Sequence, residues 1–243
     1  MPLVRIVGPG RAGRSLALAL AAAGWSAPEL LAKGEFGTDA AHGTDFLVLA
    51  TPDAAIAAVA ASIEPDPTTV VVHLAGCHGL EVLAPHPRRA AVHPLVAMPD
   101  PDTGAERLRG AWFGISAGGD PAALAIPAAL GGLTLPIDDD PMARARYHAA
   151  ACIASNHLVA LLGQVERVAA LAGVPLDAYL GLVRATVDNV AALGPAAALT
   201  GPAARGDDAT IARHLAALPD DERPAYEALL DEARKLTKVP VCS

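Results

Sequence analysis

Residues 3–23 have the sequence LVRIVGPGRAGRSLALALAAA, and this stretch decides the fold. The apolar segment from Leu3 to Val7 predicts a strand, and the alanine- and leucine-rich segment after the loop predicts a helix. The loop between them, G-P-G-R-A-G, has the glycine spacing of a turn that holds the phosphates of a dinucleotide. A plain structural turn is the alternative, because glycine triplets also occur in ordinary turns.

Each glycine of this loop has a distinct expected role. Gly8 permits the tight turn, Gly10 lets a diphosphate approach the backbone amides, and Gly13 allows the helix to pack closely on the strand. The amino end of the helix then faces the anion. We therefore expect the nucleotide to be bound by the loop residues Gly8, Pro9, Gly10, Arg11, Ala12 and Gly13.

Downstream, apolar segments alternate with helical patterns as far as residue 137. Continuous apolar runs at 45–50 and 69–74 are typical of strands covered on both faces. Further strands are predicted at 28–32, 90–93, 112–116 and 133–137, and helices at 15–23, 54–63 and 121–130. This alternation predicts an α/β fold with a doubly wound, mostly parallel sheet. Where the strand at 45–50 ends, we expect Ala50, Thr51 and Pro52 to contact the nucleotide.

The pattern becomes helical after the acidic run D-D-D-P at 138–141. Asp140 is placed to cap a helix that begins at Pro141, and we interpret the acids as helix caps and not as metal ligands. Helices are predicted at 142–172, 176–193, 209–218 and 223–236. The sequence therefore predicts a Rossmann dinucleotide-binding domain at 1–138 and a helical substrate and dimerisation domain at 139–243.

Composition narrows the function classes. The formal charge is −8 and the 18 basic residues form no cluster, so we expect a small-molecule substrate and no nucleic acid. Three separate cysteines exclude a disulfide framework, and Cys77 with His78 makes at most a two-ligand site, so no metal is predicted. No apolar run is long enough to cross a membrane, and Met1 leads almost directly into the first strand, which predicts a cytoplasmic protein.

Lys33 follows the second predicted strand, where such folds usually place an acid on the adenosine ribose. A cation there suits a 2′-phosphate, so NADP is the predicted cofactor and NAD is disfavoured. Glu35 is the alternative, as a partner of an unphosphorylated ribose. A solvated lysine in a turn is the other alternative.

Several motifs together identify a family resemblance. They are G-P-G-R-A-G-R-S-L-A at 8–17, H-L-A-G at 73–76, H-P-L at 93–95, Y-H-A-A-A-C-I-A-S-N-H-L-V-A-L at 147–161 and L-T-G-P-A-A-R-G-D at 199–207. Over nearly its whole length the chain resembles the Rossmann-like proteins with a DUF2520 C-terminal domain. That family is related in architecture to 6-phosphogluconate dehydrogenase, pyrroline-5-carboxylate reductase and ketopantoate reductase. The resemblance implies an NADP-binding domain, a helical domain that commonly dimerises, and active sites in the cleft between the two.

One departure from the related enzymes affects the chemistry. In the β-hydroxyacid dehydrogenases and ketopantoate reductase, a lysine on the first long helix of the second domain supplies the proton. This chain has lysine only at positions 33, 235 and 238, and Cys152 lies four residues before Asn156. If the carbonyl chemistry is kept, another group must donate the proton, and the missing lysine is also the main support for a protein that binds the nucleotide without catalysis.

A count of 100° per residue places His148, Cys152, Ser155 and Asn156 on one helix face and His157 on the opposite one. We predict His148 as the general acid, with Ser155 and Asn156 orienting the carbonyl. A buried histidine with a satisfied hydrogen bond, or a dimer contact, is the alternative. Arg205 is the candidate clamp for a substrate carboxylate, unless it pairs with a neighbouring aspartate.

His73 and His93 are predicted at the carboxyl ends of strands, the edge where open α/β sheets bind ligands. His73 is predicted to line the nucleotide site, with a satisfied core histidine as the alternative. The resemblance implies a reductase of a small 2-oxo or imino acid, with ketopantoate as the leading substrate. A non-catalytic nucleotide-binding sensor and a deazaflavin-dependent reductase remain as alternatives.

Overall fold

The computed structural model describes residues 1–237, so Lys238 and Cys242 lie outside the described residues. Clustering of its contacts divides the chain into a unit Met1–Ser155 and a second unit that begins at Asn156. The predicted domain boundary at residue 138 falls earlier in the chain, before the helix at Pro141–Cys152. The division of roles between residues 1–138 and 139–243 stays a prediction.

Seven strands in the first unit form one sheet. They are β1 (Val4–Val7), β2 (Glu29–Leu31), β3 (Phe46–Leu49), β4 (Val70–His73), β5 (Arg89–Pro94), β6 (Trp112–Ser116) and β7 (Leu133–Ile137). Their order is β2-β1-β3-β4-β5-β6-β7, and all neighbours are parallel except β5 and β6. The predicted doubly wound, mostly parallel sheet is confirmed.

The helices of the described residues follow the chain in order. They are α1 (Arg11–Ala22), α2 (Ile56–Ala61), α3 (Pro101–Leu108), α4 (Ala125–Ala129), α5 (Pro141–Cys152), α6 (Leu158–Leu171), α7 (Asp177–Leu193), α8 (Pro195–Ala198), α9 (Pro202–Arg205), α10 (Asp208–Ala217) and α11 (Arg223–Leu236). The sequence prediction omitted α3, although Asp100 caps its first turn and Pro101 occupies its first position.

The sheet is covered on both faces, because its central strands are buried throughout. On β3 the side chains of Phe46 and Val48 pack into one apolar cluster with α1, while Leu47 and Leu49 pack into a second cluster with α2. This alternation explains why the strand has no polar positions. The predicted fully buried strands at 45–50 and 69–74 are therefore confirmed, with shorter bounds.

The predicted single helix at 142–172 is wrong in one respect. The segment Ile153–His157 is a π-helical turn between α5 and α6, so the regular hydrogen-bond ladder stops after Cys152. A π-turn inserts an extra residue, and the 100° count no longer holds beyond it. The segment 200–208, between the helices predicted at 176–193 and 209–218, contains the short helix α9.

None of the helices among residues 1–237 is long and apolar enough to cross a membrane.

Candidate active site

The glycine loop has the geometry that its sequence predicts. Gly8 has a φ of 108°, and a Cβ on it would lie 2.6 Å from the Ala50 carbonyl oxygen. A Cβ on Gly13 would overlap the Gly8 carbonyl oxygen, so the helix touches the loop directly. A Cβ on Gly10 would meet nothing within 4 Å, which leaves open space above the backbone at that position.

The amino end of α1 beside this open space carries no competing group. Gly10 is its N-cap residue, no side chain among residues 1–237 caps the helix, and no acid lies in the first turn. The Nε atom of Arg14 donates to the Pro9 carbonyl at 2.7 Å and fixes the loop from the side. Uncapped helix amides together with the positive end of the helix dipole favour an anion.

The loop lies where the order of the strands reverses. The Gly8 amide donates to the Leu31 carbonyl at the end of β2, at 3.0 Å, and the Ala50 amide donates to the Val7 carbonyl at 2.8 Å. The connection after β1 runs to β2 on one side of it, whereas the connection after β3 runs to β4 on the other side. Ligands of open α/β sheets bind between two such connections. The structure thus brings the predicted nucleotide residues Gly8, Ala50 and Thr51 together.

Lys33 lies just beyond β2 and is exposed. Glu35, the alternative partner for a ribose, is engaged within its own turn, because its Oε2 atom accepts from the Ala32 amide at 2.7 Å. The exposed cation near the end of β2 is the arrangement that the sequence predicted for a 2′-phosphate. Contact with a nucleotide stays a prediction.

His73, predicted to line the nucleotide site, is completely buried at the end of β4. Its Nδ1 atom accepts from the Ala75 amide at 3.2 Å, which makes Nε2 the donor to the Gly79 carbonyl at 3.0 Å. Burial lowers its pKa to about 4, so the ring is neutral near pH 7. These bonds match the alternative that the sequence left open, a satisfied core histidine that holds the loop after β4.

Beyond that loop, three aromatic rings converge at the carboxyl edge of the sheet. The Nδ1 atom of His93, on β5, lies 2.7 Å from the hydroxyl of Tyr147, on α5. The rings of His93 and His148 meet edge to face, with centroids 5.9 Å apart. A Cβ on Gly76 would lie 2.7 Å from the Cδ2 atom of His148 and 3.0 Å from the Cε1 atom of His93, so a larger residue there would displace at least one of the two rings.

Two members of this cluster have shifted acidities. Burial, with the neighbouring His148 acting in the same direction, lowers the pKa of His93 to about 4. Burial also raises the pKa of Tyr147 to about 12. Near pH 7, His93 is therefore neutral and Tyr147 keeps its proton. His148 is half-buried, and its Nε2 atom lies 3.9 Å from the Cys152 sulfur.

Arg144, one turn before this cluster on α5, is a functional candidate that sequence reasoning missed. The guanidinium is completely buried, bonds to Ser116 on β6, and pairs with Asp139 at 2.9 Å. Its Nε and Nη1 atoms have no partner among the described residues. A buried cation with unused donors places positive charge next to the His93 and Tyr147 pair. Nothing in the sequence around Arg144, within the helix predicted at 142–172, indicated that its side chain is buried.

The acidic run before α5 acts in part as predicted. Asp140 accepts from the Ala143 amide at 2.9 Å and caps the helix, with Pro141 at the first position. Asp138 accepts from the Asp140 amide, and Asp139 holds Arg144. Only Asp140 acts as a helix cap, whereas the carboxylates of Asp138 and Asp139 have other partners within the fold.

The structure places a third possible ligand beside Cys77 and His78, which the sequence had grouped as at most a two-ligand site. Asp53, two residues after Thr51, joins them, and one ligand atom from each of the three residues lies within 4.8 Å of the others. The Cys77 thiol donates to the Asp53 carboxylate at 3.4 Å. The sequence contained a signal for this, because β3 and β4 are adjacent parallel strands and their carboxyl ends share one edge.

The other predicted site residues are Ser155, Asn156 and Arg205. Ser155 and Asn156 lie in the π-helical turn Ile153–His157, so the helix count that put them beside His148 does not apply. Asn156 is exposed. Arg205 ends α9 in the second unit and is also exposed. Its charge lowers the pKa of Asp207, after the hydrogen bonds from Thr210 that have the larger effect.

The fold and the glycine loop define a class of protein, the Rossmann-fold proteins with a helical C-terminal region. Residues 112–233 match the family model described as a domain of unknown function, DUF2520. The chain belongs to the DUF2520 family, as its motifs predicted. No curated protein sequence matches it.

Solved structures share the fold across almost the whole chain. A Bacteroides fragilis protein, provisionally named an NADP oxidoreductase, superposes with a TM-score of 0.76, 23% identity and 98% coverage of both chains. A reductive aminase from Aspergillus terreus, in complex with NADPH and ethyl levulinate, superposes with a TM-score of 0.70 and 15% sequence identity, and the match covers 97% of this chain and 94% of that one. Plasmodium falciparum pyrroline carboxylate reductase with NADP bound superposes with a TM-score of 0.63 and 13% sequence identity, and the match covers 98% of each chain.

Proposed function

We propose that this protein is an NADP-dependent oxidoreductase that reduces the carbonyl or imine group of a small 2-oxo or imino acid. The observation that carries the proposal is the glycine loop at the strand-order switch point, with Gly10 facing open space and uncapped helix amides behind it. Relatives of the same fold have been crystallised with NADPH or NADP. Within this class we propose ketopantoate as the leading substrate, which rests on the family resemblance alone.

The fit of the cofactor can be argued from the chain itself. The amides of the loop would hold the diphosphate of a bound nucleotide, and a Cβ at position 10 would enter the space that it needs. Thr51 supports the assignment, because its buried hydroxyl oxygen has no partner among residues 1–237. The proposed nucleotide contacts are Gly8, Pro9, Gly10, Arg11, Ala12, Gly13, Lys33, Ala50, Thr51 and Pro52. When bound, the reduced nicotinamide supplies a hydride to the substrate carbon.

The residues around β5 and α5 supply the proton. As the carbon accepts hydride, its oxygen or nitrogen gains negative charge and must be protonated. His93 is neutral near pH 7 because its pKa is about 4, so it cannot supply that proton as an imidazolium. His148 is less deeply buried and remains the proposed acid, in place of the lysine that related enzymes use.

Other predicted residues complete the proposal for substrate binding. Ser155 and Asn156 follow His148 by two turns, and we propose that they orient the reacting group. Arg205 is proposed to bind the substrate carboxylate with two parallel hydrogen bonds. Its support is an exposed guanidinium in a glycine-flanked segment, with no salt bridge to an acid among the described residues.

A homodimer formed through the helical part is proposed on the exposure of α7. No residue of this helix is buried, although it presents apolar side chains, and Leu182 and Leu193 are 66% and 60% exposed. Surface of this kind requires a partner, and a second copy is the simplest. Sedimentation of the purified chain is expected to give twice the mass of one chain, whereas Leu182→Glu with Leu193→Glu should give monomers. A monomeric parent protein would contradict the proposal.

The experiment that tests the function is NADPH oxidation, followed by absorbance, with a panel of 2-oxo acids and cyclic imino acids. Turnover of at least one acid, with the corresponding amide or ester much poorer, supports the proposal. Tight NADPH binding without turnover of any compound would favour the sensor. Oxidation of a reduced deazaflavin in place of NADPH would favour the third candidate.

A further inference from the structure

We propose that Asp53, Cys77 and His78 bind a divalent transition-metal ion of the zinc type. The three residues come from the loops that follow β3 and β4, at the carboxyl edge of the sheet. One carboxylate oxygen, the thiol sulfur and one imidazole nitrogen already lie within 4.8 Å of one another. This inference goes beyond the proposed function, since it requires no nucleotide.

The donor set selects the ion. A thiolate and an imidazole are preferred by Zn²⁺ and its neighbours in the first transition row, whereas Mg²⁺ and Ca²⁺ take oxygen ligands. Three protein ligands with a fourth position left to water is a common arrangement for zinc outside structural sites. We therefore expect Zn²⁺ or Co²⁺ to bind and Mg²⁺ not to compete.

The geometry needs only side-chain adjustment. Bond lengths of about 2.0–2.3 Å around a tetrahedral ion separate its ligand atoms by roughly 3.5 Å. The Cys77 sulfur is already 3.4 Å from the Asp53 oxygen. The other pairs of ligand atoms lie at most 4.8 Å apart, so they must approach by up to about 1.3 Å to reach that separation.

The surroundings also suit an ion that enters from solvent. Asp53 is exposed, while Cys77 and His78 are partly buried, so the pocket is open on the carboxylate side. Cys77 and His78 are consecutive, and they can converge because Gly76 and Gly79 flank them in a segment without regular secondary structure. The rings that pack against Gly76 are those of His93 and His148, so the imidazole of His78 is not engaged in that contact.

Cobalt absorbance tests the site directly, because Co²⁺ bound to a thiolate gives a charge-transfer band that oxygen and nitrogen ligands do not. The full chain, without nucleotide or affinity tag, is titrated with cobalt chloride and then with zinc chloride under a thiol-free reductant. We expect the band at one ion per chain and its loss when zinc replaces cobalt. Magnesium chloride should leave the band unchanged.

Cysteine variants assign the band to its ligand. A Cys152→Ser, Cys242→Ser double variant leaves Cys77 as the sole thiol and should keep the band, whereas Cys77→Ser should lose it. His78→Ala and Asp53→Asn should each weaken binding by more than tenfold, since even outer-shell partners of metal ligands matter by about 10–100-fold. Should Cys77→Ser fail to fold, as judged by circular dichroism, the His78→Ala titration decides.

Three results would overturn the proposal: no charge-transfer band in the parent protein, an undiminished band in Cys77→Ser, or unchanged affinity in both His78→Ala and Asp53→Asn. Each is independent of NADPH binding, which is measured in a separate titration. Failure of the metal site and failure of the nucleotide site are therefore distinguishable.

Discussion

Replacing Gly10 with alanine should separate nucleotide binding from folding. The residue has φ −74° and ψ −172°, a conformation that alanine adopts without strain, and its Cβ would meet no atom within 4 Å. Alanine is a poorer N-cap than glycine, at a cost of roughly 0.5–1 kcal/mol, but it also restricts the unfolded chain by about 0.4–1 kcal/mol. These terms nearly cancel, so the free energy of unfolding should change by less than about 1 kcal/mol.

The effect on binding should be much larger. The new methyl group would occupy the space through which a diphosphate reaches the helix amides. A hydrogen bond to a charged group contributes about 1.5–3 kcal/mol, so losing one weakens binding by roughly 10- to 150-fold. NADPH affinity is measured by calorimetry and stability by urea unfolding, on the parent and variant proteins.

Gly13→Ala is the matched control within the same loop. Its Cβ would overlap the Gly8 carbonyl oxygen, so backbone must shift, at a cost of about 1–3 kcal/mol in stability. Gly10→Ala should thus lose affinity with little change in stability, whereas Gly13→Ala should lose stability whatever its effect on affinity. A folded Gly10→Ala protein that binds NADPH as tightly as the parent would refute the assignment of the loop as a diphosphate site.

Three further predictions concern separate parts of the molecule. Lys33→Gln should weaken NADPH binding by roughly tenfold and leave NADH binding unchanged, since only NADPH carries the 2′-phosphate; equal losses in calorimetry would contradict that role. His148→Ala should lower kcat by roughly 10²- to 10⁴-fold with an unchanged Kd for NADPH, while His157→Ala keeps full activity. Because burial lowers the pKa of His73 from 6.5 to about 4, the unfolded chain binds the extra proton first as pH falls. The contribution of His73 to the free energy of unfolding is fully present above pH 6.5 and is lost as the pH falls to about 4, by roughly 3 kcal/mol at about 1.4 kcal/mol per pKa unit. Urea unfolding of His73→Asn should show a shallower dependence of stability on pH than the parent protein. An equal slope would contradict the assignment.

The nucleotide half of the account was predictable from sequence because its signals are local. Gly8 to Gly13 lie between one strand and one helix, so their spacing alone fixes the turn, and the structure adds only the contact with Ala50. Continuous apolar runs such as 46–49 identify buried strands for the same reason. The capping by Asp140 likewise depends on residues within one helical turn.

The contacts among the proposed catalytic residues and their neighbours could not be predicted in the same way. His93 and Tyr147 meet because α5 passes the end of β5, and no local pattern encodes that approach. The burial of Arg144 depends on Ser116, on another strand, and on Asp139. The π-helical turn at Ile153–His157 shows why the helix count failed, because a single inserted residue leaves apolar periodicity almost unchanged while rotating every later side chain.

The cluster of Asp53, Cys77 and His78 is an intermediate case. The predicted parallel strands place the loops after β3 and β4 at one edge of the sheet. The cluster would have been found from the sequence only if Asp53 had been compared with residues 24 positions later in the chain. Searching within a short window, as ligand spacing rules do, misses ligands contributed by neighbouring strands.

The most direct measurement of the central claim is a calorimetric titration of the purified parent protein with NADPH and, separately, with NADH. We predict saturable binding of NADPH at one site per chain, with an affinity above that for NADH. Protein that is folded by circular dichroism yet gives no saturable heat with either nucleotide would contradict it.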